Sequence, residues 1–349
     1  MFFASDNWAG AHPKIAASLS SHAAGFAEAY GASALDRAVE ARFNEVFERE
    51  VAVFFVATGT AANSLALTAA ARPGGIAFAH REAHVIEDEC GAPQYFSGGC
   101  RVNPVDGPLG RIDPRRLDEA LGRLLPDFVH AGQPMAVTIT QATEVGTVYS
   151  LDEIEAIAAV ARGAGVPLHM DGARFANALV GLGATPAEMT WKRGVDILSF
   201  GGTKNGCWCA EAIVLFDPAQ ARDLRFMRKR AAQLFSKSRF VAAQFAAYFE
   251  DGLWLELAAH ANAMAARLAA HVESSPRLRL AWQPAANEVF AVMPEAEFER
   301  LQNVGAVFYP WAVPQEFRQE IAAGECLCRF VASFATSAEE VDRFGELLA

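Results

Sequence analysis

Between about residues 50 and 215 the chain alternates short, wholly apolar runs with stretches whose apolar positions recur at helical spacing. Runs this short, bounded by glycine and polar residues, predict strands buried on both faces. They fall at 51–56, 76–79, 136–140, 166–170, 195–200 and 212–216. Between them, 61–71 is rich in good helix formers, and 151–162 follows Ser150 with Glu153, a capping box ahead of an apolar helix face. Strand, helix and strand in rotation predict right-handed crossovers and a mostly parallel sheet covered on both sides, an α/β fold. After residue 220, 221–270 reads as nearly continuous helix with a break at Asp251-Gly252. Strands at 287–293 and 326–334 and an amphipathic helix follow. The predicted division is a large domain over 1–240, including an N-terminal segment, and a small C-terminal α+β domain over 241–349.

Composition narrows the partners. With 349 residues, 52% of them hydrophobic, the chain has enough apolar surface for ordinary cores. Its 41 acidic and 30 basic residues leave a formal charge of -11, which repels nucleic acid and anionic membrane. No apolar stretch approaches the ~20 residues of a spanning helix, and the start of the chain has no basic segment, so the expectation is a soluble, cytoplasmic protein. Six cysteines are spread thinly, as free thiols in a reducing compartment would be. The pairs Cys207/Cys209 and Cys326/Cys328 are spaced for one face of a strand rather than for structural zinc, so no metal is expected.

Three segments carry candidate chemistry. Thr58-Gly59-Thr60-Ala61-Ala62-Asn63 joins a buried strand to a helix, where free N–H groups favour an anion such as phosphate; plain helix capping explains the same residues. Asp171-Gly172-Ala173-Arg174 ends another strand, at the edge where open α/β sheets bind ligands; a local ion pair is the alternative. Only five of the basic residues are lysines, and one, Lys204, lies in the glycine-rich loop Ser199-Phe200-Gly201-Gly202-Thr203-Lys204-Asn205-Gly206. Partial desolvation there makes its amine a candidate for a Schiff base. A phosphate cradle, an acid for a pyridinium nitrogen and a Schiff-base lysine, all at carboxyl ends of strands, are the parts of a pyridoxal phosphate site. His84, after the second strand, is placed to lie on a cofactor ring, and the Arg329 fork is suited to a substrate carboxylate.

These blocks, with Phe3-Ala4-Ser5-Asp6-Asn7, Asp88-Glu89-Cys90-Gly91-Ala92-Pro93 and Gln141-Ala142-Thr143-Glu144-Val145-Gly146, resemble the low-specificity L-threonine aldolases, β-eliminating lyases of the fold-type I pyridoxal phosphate enzymes. The resemblance implies retro-aldol cleavage of L-threonine, L-allo-threonine and related β-hydroxy-α-amino acids to glycine and an aldehyde. Another pyridoxal phosphate-dependent lyase or racemase is the alternative. By the same resemblance Lys204 binds the cofactor, Asp171 faces its nitrogen, His84 stacks on its ring, and Gly59 and Thr60 hold its phosphate. Ser5, Arg174 and Arg329 surround the substrate carboxylate, and His130 lies near the β-hydroxyl. The general base is left open among His84, His130 and a water they position. The family implies a homotetramer, a dimer of dimers, with Lys229, or its rivals Lys237 and Arg239, reaching a neighbour's phosphate. Two departures stand out: Ala32-Ser33 replaces expected acidic residues, which bears on the subunit-interface loop, and Cys207-Trp208-Cys209 is bulkier than expected beside Lys204.

Overall fold

The computed structural model describes all 349 residues and contains two sheets. The larger comprises β1 (Ala52–Val56), β2 (Gly75–His80), β3 (Arg101–Val105), β4 (Gln133–Thr140), β5 (Leu168–Gly172), β6 (Ile197–Gly201) and β7 (Glu211–Leu215). Their order is β1-β7-β6-β5-β4-β2-β3. Pairings from β3 through β6 are parallel, and β7 runs antiparallel to both its neighbours. Apolar runs mark the buried strands β2 and β4 to β7. The edge strand β3 escapes that reading because its side chains are exposed or half-buried up to Val105. Its Pro104 is tolerated at an edge, where one N–H is not needed for pairing.

Helices α1 (Pro13–Ser21), α2 (Ala34–Val46), α3 (Gly59–Ala69) and α4 (His84–Glu87) precede β3 in the chain. The capping box of the helix Leu151–Gly163 forms as its spacing predicts: Glu153 N–H donates to Ser150 Oγ at 3.2 Å, and Ser150 N–H to Glu153 Oε2 at 2.7 Å. The long helical stretch after 220 breaks twice. The break at Asp251-Gly252 has both residues at positive φ, and a second at 231–238 includes Ala232 at φ 58°.

The smaller sheet, β8 (Arg279–Leu280), β9 (Glu288–Pro294), β10 (Tyr309–Pro310) and β11 (Glu325–Val331), is antiparallel in the order β10-β11-β9-β8. Two main cores result. In the first, Phe43 meets Phe200 and Phe249 edge-on at 5.3 and 5.0 Å, and residues 241–258 pack into the same cluster. In the second, Phe3 meets Phe344 at 5.4 Å, and Val331 N–H donates to Phe3 O at 2.8 Å. The cores therefore divide within the helix Leu253–Ser274, whose first half packs in one and second half in the other, rather than at 240. The chain start joins the small sheet, which carries its neighbouring residues Ser5 to Asn7 toward the large one. No helix is long and apolar enough to cross a membrane.

Candidate active site

β4, β5 and β6 deliver their carboxyl ends to one edge of the large sheet, and α3 begins beside them. A cavity of about 270 Å³ opens there, lined among others by Thr58, Gly59, Thr60, His84, Asp171 and Lys204. Larger clefts of about 780 and 820 Å³ lie elsewhere, around the opening residues of β4 and the helix Leu151–Gly163, but hold no comparable set of groups. Chemistry rather than volume selects the site.

Thr58 caps α3, its Oγ1 accepting the Ala61 N–H at 3.1 Å. Capping and anion binding are compatible here: a Cβ built on Gly59 would meet nothing within 4 Å, so the helix start faces open space. Asp171 is 3% exposed and accepts from Ala173 N–H at 3.0 Å and Asn63 Nδ2 at 2.8 Å. The same Asn63 nitrogen donates to Glu89 Oε1 at 2.8 Å, which in turn holds His84 Nδ1 at 3.0 Å. This hydrogen bond raises the His84 pKa against the opposing effect of burial, helped by the charges of Glu144 and Asp171. Lys204 sits in the 3-10 turn Thr203–Asn205, just past β6, and the turn is anchored by Asn205 Nδ2, which donates to Tyr248 Oη and to Trp254 O, both at 2.8 Å. Gly201 is required nearby, since a Cβ there would lie 2.6 Å from Ala173 O.

The buried Arg174 and the half-buried Arg329 are linked through Glu288. Arg174 donates Nε and Nη2 to Asp6 at 2.7 and 3.1 Å, and Nη2 lies 3.3 Å from Glu288 Oε1. Burial disfavours the Arg174 charge, but Asp6, Glu288 and Glu144 more than compensate and hold it firmly protonated. Arg329 shares Glu288 at 3.4 Å and stacks its guanidinium 3.8 Å from the Trp311 ring centre, leaving Nε without a partner. Ser5 caps the following turn, accepting Asn7 N–H at 3.2 Å, and Asn7 lines the cavity.

His130 does not join this site. It is exposed and packs edge-on against Phe128 at 5.2 Å, in the loop before β4. The reactive edge is at the far end of that strand, on the order of 20 Å away at ~3.3 Å per residue. Lys229 is exposed over the Tyr30 ring, 5.3 Å from its centre, and Lys237 is exposed. Arg239 donates to Gly25 O. None of these three lines the cavity, whose basic side chains are His84 and Lys204. The two sequence departures resolve locally. Ser33 is the N-cap of α2, in a capping box with Asp36, and Trp208 is 65% exposed, with Gln244 holding its N–H at 2.9 Å, outside the cavity wall.

Asn63, Glu89, Glu211 and Glu288 had no role assigned from sequence. A charge opening an otherwise apolar buried run, as Glu211 and Glu288 do on β7 and β9, was the available signal.

A mostly parallel sheet presenting an acid, a lysine and an open helix start in one cavity, with a histidine held over it, defines the class of fold-type I pyridoxal phosphate enzymes. The residues fit that group: a buried Asp171 carboxylate, the Lys204 amine and free space before α3 share one wall system. Residues 3–296 match the beta-eliminating lyase family, and the chain belongs to it. It is 44% identical over 307 residues, 88% of either chain, to a low specificity L-threonine aldolase of a Pseudomonas species. It is 42% identical over 340 residues to that of Pseudomonas aeruginosa, covering 97% of this chain and 94% of the relative. The solved structure of the Leishmania major threonine aldolase superposes with a TM-score of 0.91 at 30% identity, over 99% of this chain and 98% of that one.

Proposed function

We propose that this enzyme cleaves L-threonine, L-allo-threonine and related β-hydroxy-α-amino acids to glycine and an aldehyde. The observation that carries the reading is the convergence of Lys204, Asp171 and His84 on the cavity at the start of α3. There Lys204 would hold pyridoxal phosphate, with Asp171 for its pyridine nitrogen, His84 for its ring, and Gly59 and Thr60 for its phosphate. When bound, the cofactor supplies an electron sink for the carbanion left on glycine.

The protein's own groups direct the rest. Asp171, buried and doubly hydrogen-bonded, is fixed in place and would keep a proton on the cofactor's nitrogen. Arg329, whose Nε has no partner, takes the substrate carboxylate, with Arg174 linked to it through Glu288 and Ser5 capping the turn that brings Asn7 to the cavity. Fixing the carboxylate sets which bond of the α-carbon is aligned to break. Glu89 occupies Nδ1 of His84, so neutral His84 accepts the β-hydroxyl proton at Nε2, and cleavage of the Cα–Cβ bond releases the aldehyde.

We further propose a homotetramer built from dimers, in which the exposed Lys229 or Lys237, or Arg239, of a neighbour reaches the phosphate. Six free cysteines support a cytoplasmic setting. The test is aldehyde release from L-threonine and L-allo-threonine, with glycine measured in equal amount. Pyruvate, ammonia or an inverted amino acid in place of aldehyde would instead establish another lyase or a racemase.

A further inference from the structure

The turn that carries Lys204 rests on a carboxyl that none of the roles above uses. Glu211 opens β7 opposite Gly201 and is 5% exposed, with its side chain in the wall of the cavity that Lys204 also lines. Thr203, next to the lysine, donates its backbone N–H to Glu211 Oε1 at 3.3 Å. The Thr203 hydroxyl accepts Ala210 N–H at 3.2 Å, which leaves its own proton for the same carboxyl.

The groups facing Glu211 come from every element around it. Lys204 on the turn is the cation; Asp171 on β5 is an anion; Cys207 and Cys209 follow in the loop, and Tyr248 lies on the helix Arg239–Phe249. Burial pushes the Glu211 pKa up to about 7, with Asp171 adding to it and Thr203 and Lys204 pulling the other way. A carboxyl so placed responds to the charge of the lysine that shares its cavity.

Resting on the reading of Lys204 as the cofactor's amine, we propose that Glu211 is its proton-sharing and positioning partner. When Lys204 is released as a free amine, the O–H bond of Glu211 breaks and, relayed by water in the cavity both residues line, an N–H bond forms on Nζ, giving a carboxylate and an ammonium. When the amine is to bond again, the proton returns to Glu211. The pair's net charge is the same in both states, so the cavity is never left with an extra charge, and Lys204 regains a neutral lone pair without recruiting a proton acceptor from solvent.

The experiment follows Lys204 in cofactor-free, full-length protein by competitive labelling with acetic anhydride, read by mass spectrometry between pH 5.5 and 9, with the exposed Lys14 as internal reference. The wild-type rate should show an inflection near pH 7, where ionisation of Glu211 holds the amine as ammonium. Glu211→Gln keeps an acceptor for Thr203 N–H; it should lose the inflection and label Lys204 about tenfold faster at pH 8, the change that one unit of proton affinity produces. Glu211→Asp, which keeps a carboxyl on a shorter stem, should retain an inflection at a shifted pH, and serves if the Gln variant does not fold. A wild-type profile without the inflection overturns the proposal, as does a folded variant of either kind that labels as wild type. No substrate or cofactor enters the labelling. Failure of wild type to take up pyridoxal phosphate therefore refutes the functional reading separately.

Discussion

Asn63 donates one amide nitrogen to Asp171 and, through the same atom, to Glu89, at 2.8 Å each, although 108 and 26 positions separate the partners along the chain. The acid proposed for the cofactor's nitrogen and the acid that orients His84 are thus held by one side chain, 2% exposed, on the second turn of α3. Asn63→Ala leaves two buried carboxylates without that donor, which costs about 1–3 kcal/mol per unsatisfied group. Urea unfolding should show the loss, and cofactor retention on gel filtration should fall with it. A stable variant with full cofactor content would refute the linkage.

The His84–Glu89 pair sets a pH dependence. Because Glu89 raises the His84 pKa above 6.5, neutral His84 accumulates only at higher pH, and turnover should fall on an acid limb lying above pH 6.5. Glu89→Gln should move that limb to lower pH, and the histidine ring resonances in NMR titrations should move the same way. The sign for stability follows: a raised histidine pKa contributes stability below 6.5 that is lost as pH rises through the folded value. The His84→Gln variant should therefore be destabilised more at pH 6 than at pH 9, measured by Tm.

Replacing Lys204 by Ala should abolish steady turnover and the visible absorbance of bound cofactor. Near wild-type turnover in that variant would remove the central assignment.

Arg329→Lys loses the planar fork, the Trp311 stack and the shared Glu288 contact. A charged hydrogen bond is worth about 2 kcal/mol, so kcat/KM should fall roughly 30-fold, mostly through KM. An unchanged KM would move the substrate carboxylate elsewhere.

His130→Ala should leave kcat/KM for both threonine isomers within about twofold of wild type, as an exposed loop position does. A loss beyond tenfold would mean that His130 reaches a site other than the one in its own protomer.

What was readable in the sequence was what local physics decides. The apolar runs identified the buried strands, the Ser150–Glu153 spacing identified a helix start, and Thr58-Gly59-Thr60, Asp171 and Lys204 could be placed at strand ends because each belongs to its own strand-and-turn unit. Those units needed only their neighbours in sequence to be recognised. The edge strand β3 was not readable, since an edge needs no continuous apolar run.

Tertiary structure alone decided which groups meet across long separations. Asp6 reaches Arg174 across 168 positions and Asn287 across 281, and no periodicity encodes such pairings. The same holds for the division of the cores inside the helix Leu253–Ser274 and for the return of Phe3 to the small sheet. His130 fell outside the site because strand direction, set by the whole sheet, puts opposite ends of β4 on opposite edges. Sequence determined the elements and their chemistry; the packing of distant elements into one low-dielectric cavity determined which of those groups act together, and with what proton affinity.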